Sequence, residues 1–163
     1  MSYPDPVYLG PGGETTASFR PAGTPPELPR PGGGAASYLA TGATTAGRFG
    51  LYRWDMGTQP GGADPHFHRT MSESFFVLSG VVRLYDGERW RDSGPGDFAY
   101  VPEGGLHGFR NESGEPASML ILFAPGAPRE AYFEGLVAIA EGRWDPSPEE
   151  RTAFLEEHDN HYV

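Results

Sequence analysis

The chain has 163 residues, a length that allows one compact domain with appendages. Its 24 Gly and 17 Pro, together with a hydrophobic fraction of 37% and an aromatic fraction of 13%, predict a core built from many short elements, as in an all-β sandwich or barrel. Cysteine and lysine are both absent, which excludes disulfides, iron–sulfur clusters, thiolate zinc sites, Schiff-base catalysis and a P-loop. The formal net charge of −10 disfavours binding to nucleic acid or anionic membranes.

The first segment, residues 1–36, is rich in Pro, Gly and Thr and shows neither helical nor strand periodicity. We predict an arm here, either a solvated tail or a segment that packs on a partner subunit. Its beginning lacks the basic start and apolar run of a signal peptide, and no window of the chain approaches 18 apolar residues. We therefore expect a soluble, cytoplasmic protein.

Residues 37–127 are predicted to form a β domain that begins near Ser37. Short aromatic and β-branched runs, each followed by a turn signal, recur at intervals of about ten residues, a spacing typical of antiparallel sheets. The predicted strands are SYLAT, RFGLYRWDM, HFHRT, ESFFVLSG, VVRLYDG, RWRDSG, DFAYVPEGG, LHGFRN and SMLILFAPG.

Residues 128–163 are predicted to form a helical tail, because the period of the apolar residues changes after Pro125. Pro128 opens a first helix, and Gly142 stands where its C-cap would be. Ser147 is the predicted N-cap of a second helix, with Pro148 at its first position.

Three of the five histidines lie close together in the predicted β domain. Residues two apart in a strand point to the same face, so His66 and His68 would present two imidazoles side by side. Glu73 begins the next predicted strand and His107 begins another, so a closed barrel would bring the four side chains together. Three imidazoles and a carboxylate suit a divalent transition metal (Fe, Mn, Ni, Cu, Co or Zn) and leave a position for water or substrate. An isolated His-x-His is also common as a structural pair.

Two segments carry a family resemblance. The run from His66 to Gly80 resembles the first cupin motif, with His-x-His, four residues, Glu, six residues and Gly, although the customary leading Gly lies one or two places late. The run from Gly96 to Asn111 matches the second cupin motif at each fixed position, and fifteen residues separate the two motifs. The chain is thus identified as a small single-domain member of the cupin superfamily, similar to quercetin 2,3-dioxygenase-like cupins.

The resemblance implies a double-stranded β-helix, or jelly-roll barrel, over Arg48 to Phe133, with a metal bound by His66, His68, Glu73 and His107. It also implies a homodimer, which bare sheet edges and an apolar outer strand face would favour. The alternative is a cupin that keeps its ligands and binds a small molecule without chemistry.

Further residues are candidates for the pocket. Tyr100 is a candidate catalytic residue, because its hydroxyl in an apolar pocket would donate to dioxygen or to a substrate oxyanion. Arg53 is a candidate for holding a carboxylate, with a solvated strand face as the alternative. We give no functional role to His158 and His161 in the polar end of the sequence. The remaining candidates, for which core packing is the alternative role, are Phe75, Val77, Phe98 and Phe109.

Two reaction classes follow from the resemblance, both acting on a small-molecule substrate. The first, which we predict, is a dioxygenase-like oxidoreductase acting on an enolisable or aromatic compound such as a flavonol or diketone. The segment LFAPGAPREAYFEGL favours it by its similarity to quercetinase-like tails. The second is a non-redox isomerase, cyclase, decarboxylase or lyase, in which the metal stabilises an enolate. In both, Glu73 is the expected proton acceptor.

Overall fold

A computed structural model describes residues 2–163 and shows, within them, eleven β-strands and two α-helices. The strands are β1 (Leu28–Arg30), β2 (Gly34–Ala40), β3 (Gly50–Met56), β4 (Gly61–Phe67), β5 (Ser72–Ser79), β6 (Val82–Tyr85), β7 (Trp90–Ser93), β8 (Phe98–Val101), β9 (His107–Asn111), β10 (Ala117–Ala124) and β11 (His161–Tyr162). The helices are α1 (Glu130–Ala140) and α2 (Pro148–Glu157), and a 3₁₀ turn covers Pro31–Gly33.

The strands form two antiparallel sheets. One has six strands in the order β1-β2-β3-β10-β5-β8, and the other has five in the order β11-β4-β9-β6-β7. Strands that follow one another along the chain often lie in different sheets, as β3, β4 and β5 do, so the connections wrap the two sheets around a shared interior. This architecture confirms the prediction of an all-β double-stranded β-helix with a short helical tail.

The interior is filled by alternate residues of the central strands. In β3 the side chains of Tyr52, Trp54 and Met56 are buried, and the intervening ones point outward. β10 follows the same alternation and pairs in register with β3, so that Met119 lies opposite Trp54. The period of two in these sequences therefore determines which face of each strand meets the opposite sheet.

The six-stranded sheet begins at Leu28, earlier than the start near Ser37 that the sequence predicts. β1 and β2 form a hairpin on the edge of the sheet, and Ala36 is fully buried. A Cβ at Gly34 would lie 2.6 Å from the carbonyl oxygen of Asp55, so this glycine permits a close approach of two strands. Residues 29–36 contain only Pro, Arg, Gly and Ala, which is why this part of the hairpin does not appear as a hydrophobic pattern. Residues 2–27 contain no helix or strand.

The helical tail agrees with the sequence prediction. In α2 the hydroxyl of Ser147 accepts from the backbone N–H of Glu150, whose carboxylate accepts in turn from the N–H of Ser147, which completes a capping box. Gly142 adopts a φ of 68° just after α1. After α2 the chain returns to the barrel as β11, which pairs with β4 and which the sequence does not predict. Neither helix in residues 2–163 is long and apolar enough to cross a membrane.

Candidate metal centre

Four side chains from both sheets converge inside the barrel: His66, His68, Glu73 and His107. One ligand atom from each lies within 4.8 Å of the others, and the four residues are only 1–4% exposed. The register of the sheets explains the convergence, because His66 lies directly opposite His107 in the β4–β9 pair. Glu73 approaches from β5 in the other sheet. The predicted cluster is therefore present, and it can hold a metal ion.

Each imidazole is oriented by a hydrogen bond from its Nδ1 atom. Nδ1 of His66 donates to the carbonyl of Asp64 at 2.8 Å, and Nδ1 of His107 donates to the carbonyl of Gly105 at 2.8 Å. Nδ1 of His68 donates to the carbonyl of Asp159 at 2.5 Å. Because a carbonyl oxygen only accepts, these contacts place a proton on each Nδ1 and leave each Nε2 available as a metal ligand.

The contacts of Glu73 show that the cluster fits a cation. Its Oε2 atom lies 2.9 Å from Nε2 of His68 and 2.7 Å from Nε2 of His107. A neutral imidazole with its proton on Nδ1 presents a lone pair at Nε2, so each of these contacts requires a proton or a metal ion to offset repulsion from the carboxylate. Ligands about 2.1 Å from an ion and at right angles lie about 3 Å apart, close to these separations.

Burial and mutual hydrogen bonds shift the pKa values of the cluster residues in different directions. Burial lowers the pKa of His66 to about 4, so this imidazole is neutral at physiological pH. Burial raises the pKa of Glu73, but hydrogen bonds from His107 and His68 outweigh that effect and hold the pKa well below its usual value. Burial lowers the pKa of His107, but the hydrogen bond to Glu73 outweighs it and leaves the pKa raised. Protonation of His107 is therefore the main competitor of a metal ion.

The end of the sequence supports the cluster in a way that sequence reasoning missed. The carboxylate of Asp159 accepts hydrogen bonds from the backbone N–H groups of Arg69 and Thr70 and from the Thr70 hydroxyl, at 2.7–3.0 Å. The ring of Tyr162 stacks on His66 with a centroid distance of 5.1 Å. No sequence motif predicts these contacts. The hydrogen bond to His68, for example, uses the backbone carbonyl of Asp159, a group that every residue type has.

His158 and His161 lie outside the cluster of ligands. The His158 ring packs against Phe154 at 4.8 Å, and the His161 ring stacks on Phe67 at 5.1 Å. Nε2 of His161 lies 3.1 Å from a carboxylate oxygen of Asp159. Both histidines therefore have packing roles.

A cavity of about 370 Å³ adjoins the cluster and is lined by His66 and Glu73. Leu136 of α1 and Leu155 of α2 also line it, so the helical tail supplies one wall. Much of the remaining lining is aromatic: Trp54, Phe109, Phe123, Tyr132, Phe133 and Tyr162. The cluster is therefore accessible to a small, largely apolar molecule.

Of the predicted lining residues, Phe109 lines the cavity. Phe75 and Val77 are buried in the core, with the Phe75 ring 6.0 Å from that of His107. Their placement supports the packing alternative.

The predictions for Tyr100, Phe98 and Arg53 are wrong. In the β5–β8 pair Tyr100 lies opposite Ser74 and Phe98 opposite Phe76, so both point away from the interior and are 60% and 64% exposed. β8 contains none of the candidate metal ligands, so the sequence does not indicate which of its side chains face the interior. Arg53 lies on the outer face of β3 and pairs with Asp55 at 3.0 Å.

The outer placement of Tyr100 removes it as a catalytic candidate. The inward-facing residues of β8 are Ala99 and Val101, neither of which has a group for proton transfer.

Comparisons with known proteins agree with this fold. Residues 54–123 match the family described as the cupin domain. A stretch of 62 residues, 37% of the chain, is 39% identical to an uncharacterised protein of Aquifex aeolicus (strain VF5) and spans 50% of that protein's length. Among solved structures, KdgF from Halomonas sp. superposes with a TM-score of 0.57 at 20% identity, covering 68% of this chain and 94% of that one.

Two further structures are similar. An RmlC-like cupin from Shewanella frigidimarina superposes with a TM-score of 0.51 at 19% identity, over 62% of this chain and 82% of that one. The polyketide cyclase RemF from Streptomyces resistomycificus superposes with a TM-score of 0.54 at 25% identity, over 70% of this chain and 81% of that one. Because the matched residues 54–123 include all four residues of the buried cluster, this chain contains a small cupin domain with a complete candidate metal site.

Proposed function

We propose that this protein is a metal-dependent enzyme that acts on a small aromatic or enolisable substrate. The observation that carries the proposal is the position of the cluster, since His66 and Glu73 form part of the wall of an aromatic-lined cavity. Bound by the three imidazoles and Glu73, a divalent metal would act as a Lewis acid toward a substrate oxygen. The aromatic rings would hold a planar substrate and exclude water from it.

Glu73 is the proposed proton acceptor. Its Oε2 atom is held by His68 and His107, whereas no hydrogen bond in the described part of the chain reaches Oε1. Its place in the cavity wall gives the carboxylate hydrogen-bond reach to a bound molecule. A proton removed from the substrate would therefore pass to Glu73.

Non-redox enolate chemistry, as in an isomerase or cyclase, is the reaction class we favour. It needs a proton acceptor and a site that stabilises negative charge, and both are available in the cavity. The similarity to the polyketide cyclase RemF supports this choice.

A dioxygenase-like oxidoreductase is the second candidate. Three imidazoles and one carboxylate suit redox-active Fe, Mn, Ni or Cu as well as Zn or Co. The segment from Leu122 to Leu136, which resembles the tail of quercetinase-like cupins, supports this alternative.

The two classes can be separated with one pair of measurements. Metal-loaded protein is incubated in D₂O with a 1,3-diketone or a flavonol, and deuterium incorporation and dioxygen consumption are followed together. Exchange faster than in protein-free buffer, or rearrangement, without dioxygen uptake supports the non-redox class, and stoichiometric uptake supports the dioxygenase. The absence of substrate change with both compounds, at full metal loading, would contradict the proposal for these substrate classes. Glu73→Gln protein is the matched control.

A further inference from the structure

One arginine is buried beside the candidate metal centre. Arg129 immediately precedes α1 and is 3% exposed, although a guanidinium is among the groups most costly to remove from water. It lines the same cavity as His66 and Glu73. The position places a permanent positive charge next to the proposed reaction site.

The hydrogen bonds of Arg129 leave this charge without an acidic partner. One terminal nitrogen donates to the carbonyl of His158 at 2.6 Å, and the other donates to the side-chain oxygen of Asn160 at 3.2 Å. The Nε–H has no partner, and within residues 2–163 no carboxylate forms an ion pair with Arg129. The rings of Tyr132 and Phe123 lie 4.3 and 4.9 Å from the guanidinium carbon and stabilise the cation without accepting its N–H groups.

The cavity has two more arginines, Arg30 and Arg151, neither of which pairs with a carboxylate among the described residues. Two acidic residues line it, and both are engaged: Asp64 by Arg110 at 2.6 Å, and Glu73 by the imidazoles. This local excess of positive charge occurs in a chain whose formal net charge is −10. An anion would therefore be attracted to this cavity specifically.

We propose that the cavity binds a planar carboxylate, with the carboxylate oxygen accepting the unpartnered Nε–H of Arg129 and the apolar part of the molecule lying among the aromatic rings. The guanidinium carries five N–H groups in one planar fork, and in the described structure only two of them donate, to His158 and Asn160. N–H groups that include the Nε–H therefore remain for the two coplanar oxygens of a carboxylate. This inference names the substrate class of the proposed function and relies on it only for the choice of cavity.

The test compares benzoate with benzamide, its neutral isostere, by calorimetric titration of the metal-loaded protein. We expect benzoate to bind at least about tenfold more tightly, since a charge-assisted hydrogen bond in a buried site contributes that much. Arg129→Gln should remove this preference at unchanged metal content, whereas Arg48→Gln, an exposed arginine outside the cavity, should retain it. Equal binding of the two compounds, or an unchanged benzoate affinity in folded Arg129→Gln protein, would overturn the proposal. Tighter binding of phenyl phosphate than of benzoate would also overturn it.

A measurement on the wild type covers the case in which Arg129→Gln does not fold. The ¹⁵Nε signal of Arg129 should shift on titration with benzoate and stay unchanged with benzamide, and a signal insensitive to both would contradict the inference. Failure of the proposed enzymatic function can be distinguished from failure of the carboxylate site. Arg129-dependent benzoate binding without turnover of any substrate would contradict the enzymatic function and still support the carboxylate site. Turnover of a neutral diketone without a preference for benzoate over benzamide would support the proposed enzyme and contradict the carboxylate site.

Discussion

The backbone carbonyl of Asp159 accepts a hydrogen bond from Nδ1 of His68 at 2.5 Å, across 91 residues of sequence. This contact joins the segment after α2 to a candidate metal ligand in the barrel. The carboxylate of the same aspartate fixes the backbone of Arg69 and Thr70, which directly follow His68. A single residue therefore positions both the ring of His68 and the chain beyond it.

We predict that Asp159→Asn weakens metal binding by up to about tenfold, because the carboxylate anchors the segment whose backbone carbonyl orients His68. Loss of a partner that orients a ligating imidazole typically costs about 10–100-fold in affinity. Asparagine keeps the size of the side chain but loses the charged acceptor. Competition titration with a chromophoric chelator measures the effect. The matched control is Glu156→Gln, an exposed carboxylate on α2 that should leave the affinity unchanged. Equal metal affinities of the wild type and Asp159→Asn would show that the Asp159 carboxylate is not needed to position His68.

The same residue predicts a dependence of stability on pH. Burial raises the pKa of Asp159, but hydrogen bonds from Arg69 and Thr70 outweigh it, so the pKa in the folded protein lies below its usual value. Such a carboxylate stabilises the fold fully above the unfolded-state pKa of about 3.9, and the contribution is lost as pH falls through the lowered value. The free energy of unfolding of the wild type should exceed that of Asp159→Asn by about 1–3 kcal/mol at pH 7, and the difference should be smaller at pH 3.5. Urea unfolding at both pH values measures this difference, and a gap independent of pH would contradict the prediction.

The sequence predicts the candidate ligands because a local rule applies to each of them. His66 and His68 share a face through the period of a strand, and the spacing to Glu73 and His107 follows the cupin motifs. The strands and both helices follow similar rules of alternation, turn chemistry and capping. These features depend on neighbours in sequence, so they can be recognised without knowledge of the fold.

The errors concern features that depend on distant contacts. Tyr100 and Phe98 have the composition of pocket residues, but their direction depends on the register between β8 and β5. The role of Asp159 depends on its backbone carbonyl, which has no residue-specific signature. Polar residues commonly precede helices, so the position of Arg129 before α1 does not indicate a special role. Only the fold shows that its side chain lines a cavity.

We propose that the protein forms a homodimer through the outer face of β5 and β8. Phe76, Leu78, Phe98 and Tyr100 are 37–64% exposed on these neighbouring strands, and β8 is an edge of its sheet. Sedimentation at micromolar concentration should give a dimer, and Phe98→Glu should give a monomer because burial of a charge in the interface is costly. Phe19→Glu, a change at an even more exposed residue of the N-terminal segment, should remain dimeric. A monomeric wild type would contradict the proposal.

Glu73→Gln tests the proton-acceptor role. The amide keeps one oxygen for the metal but cannot accept a proton, so turnover should fall by about 10²–10⁴-fold at full metal loading while substrate binding persists. Steady-state rates at saturating metal, together with substrate binding by titration, separate this outcome from simple metal loss. Recovery of wild-type turnover by added metal would show that Glu73 acts only as a ligand.

The metal content of the protein tests the central claim most directly. Protein prepared without chelators or a nickel column is analysed by mass spectrometry for Fe, Mn, Ni, Cu, Co and Zn, beside His107→Ala and, as a matched control, His161→Ala. We expect about one tightly held divalent metal per chain in the wild type and in His161→Ala, and none in His107→Ala, since the buried cluster is preorganised for it. Wild-type protein that contains no metal and binds none when it is supplied would contradict the account.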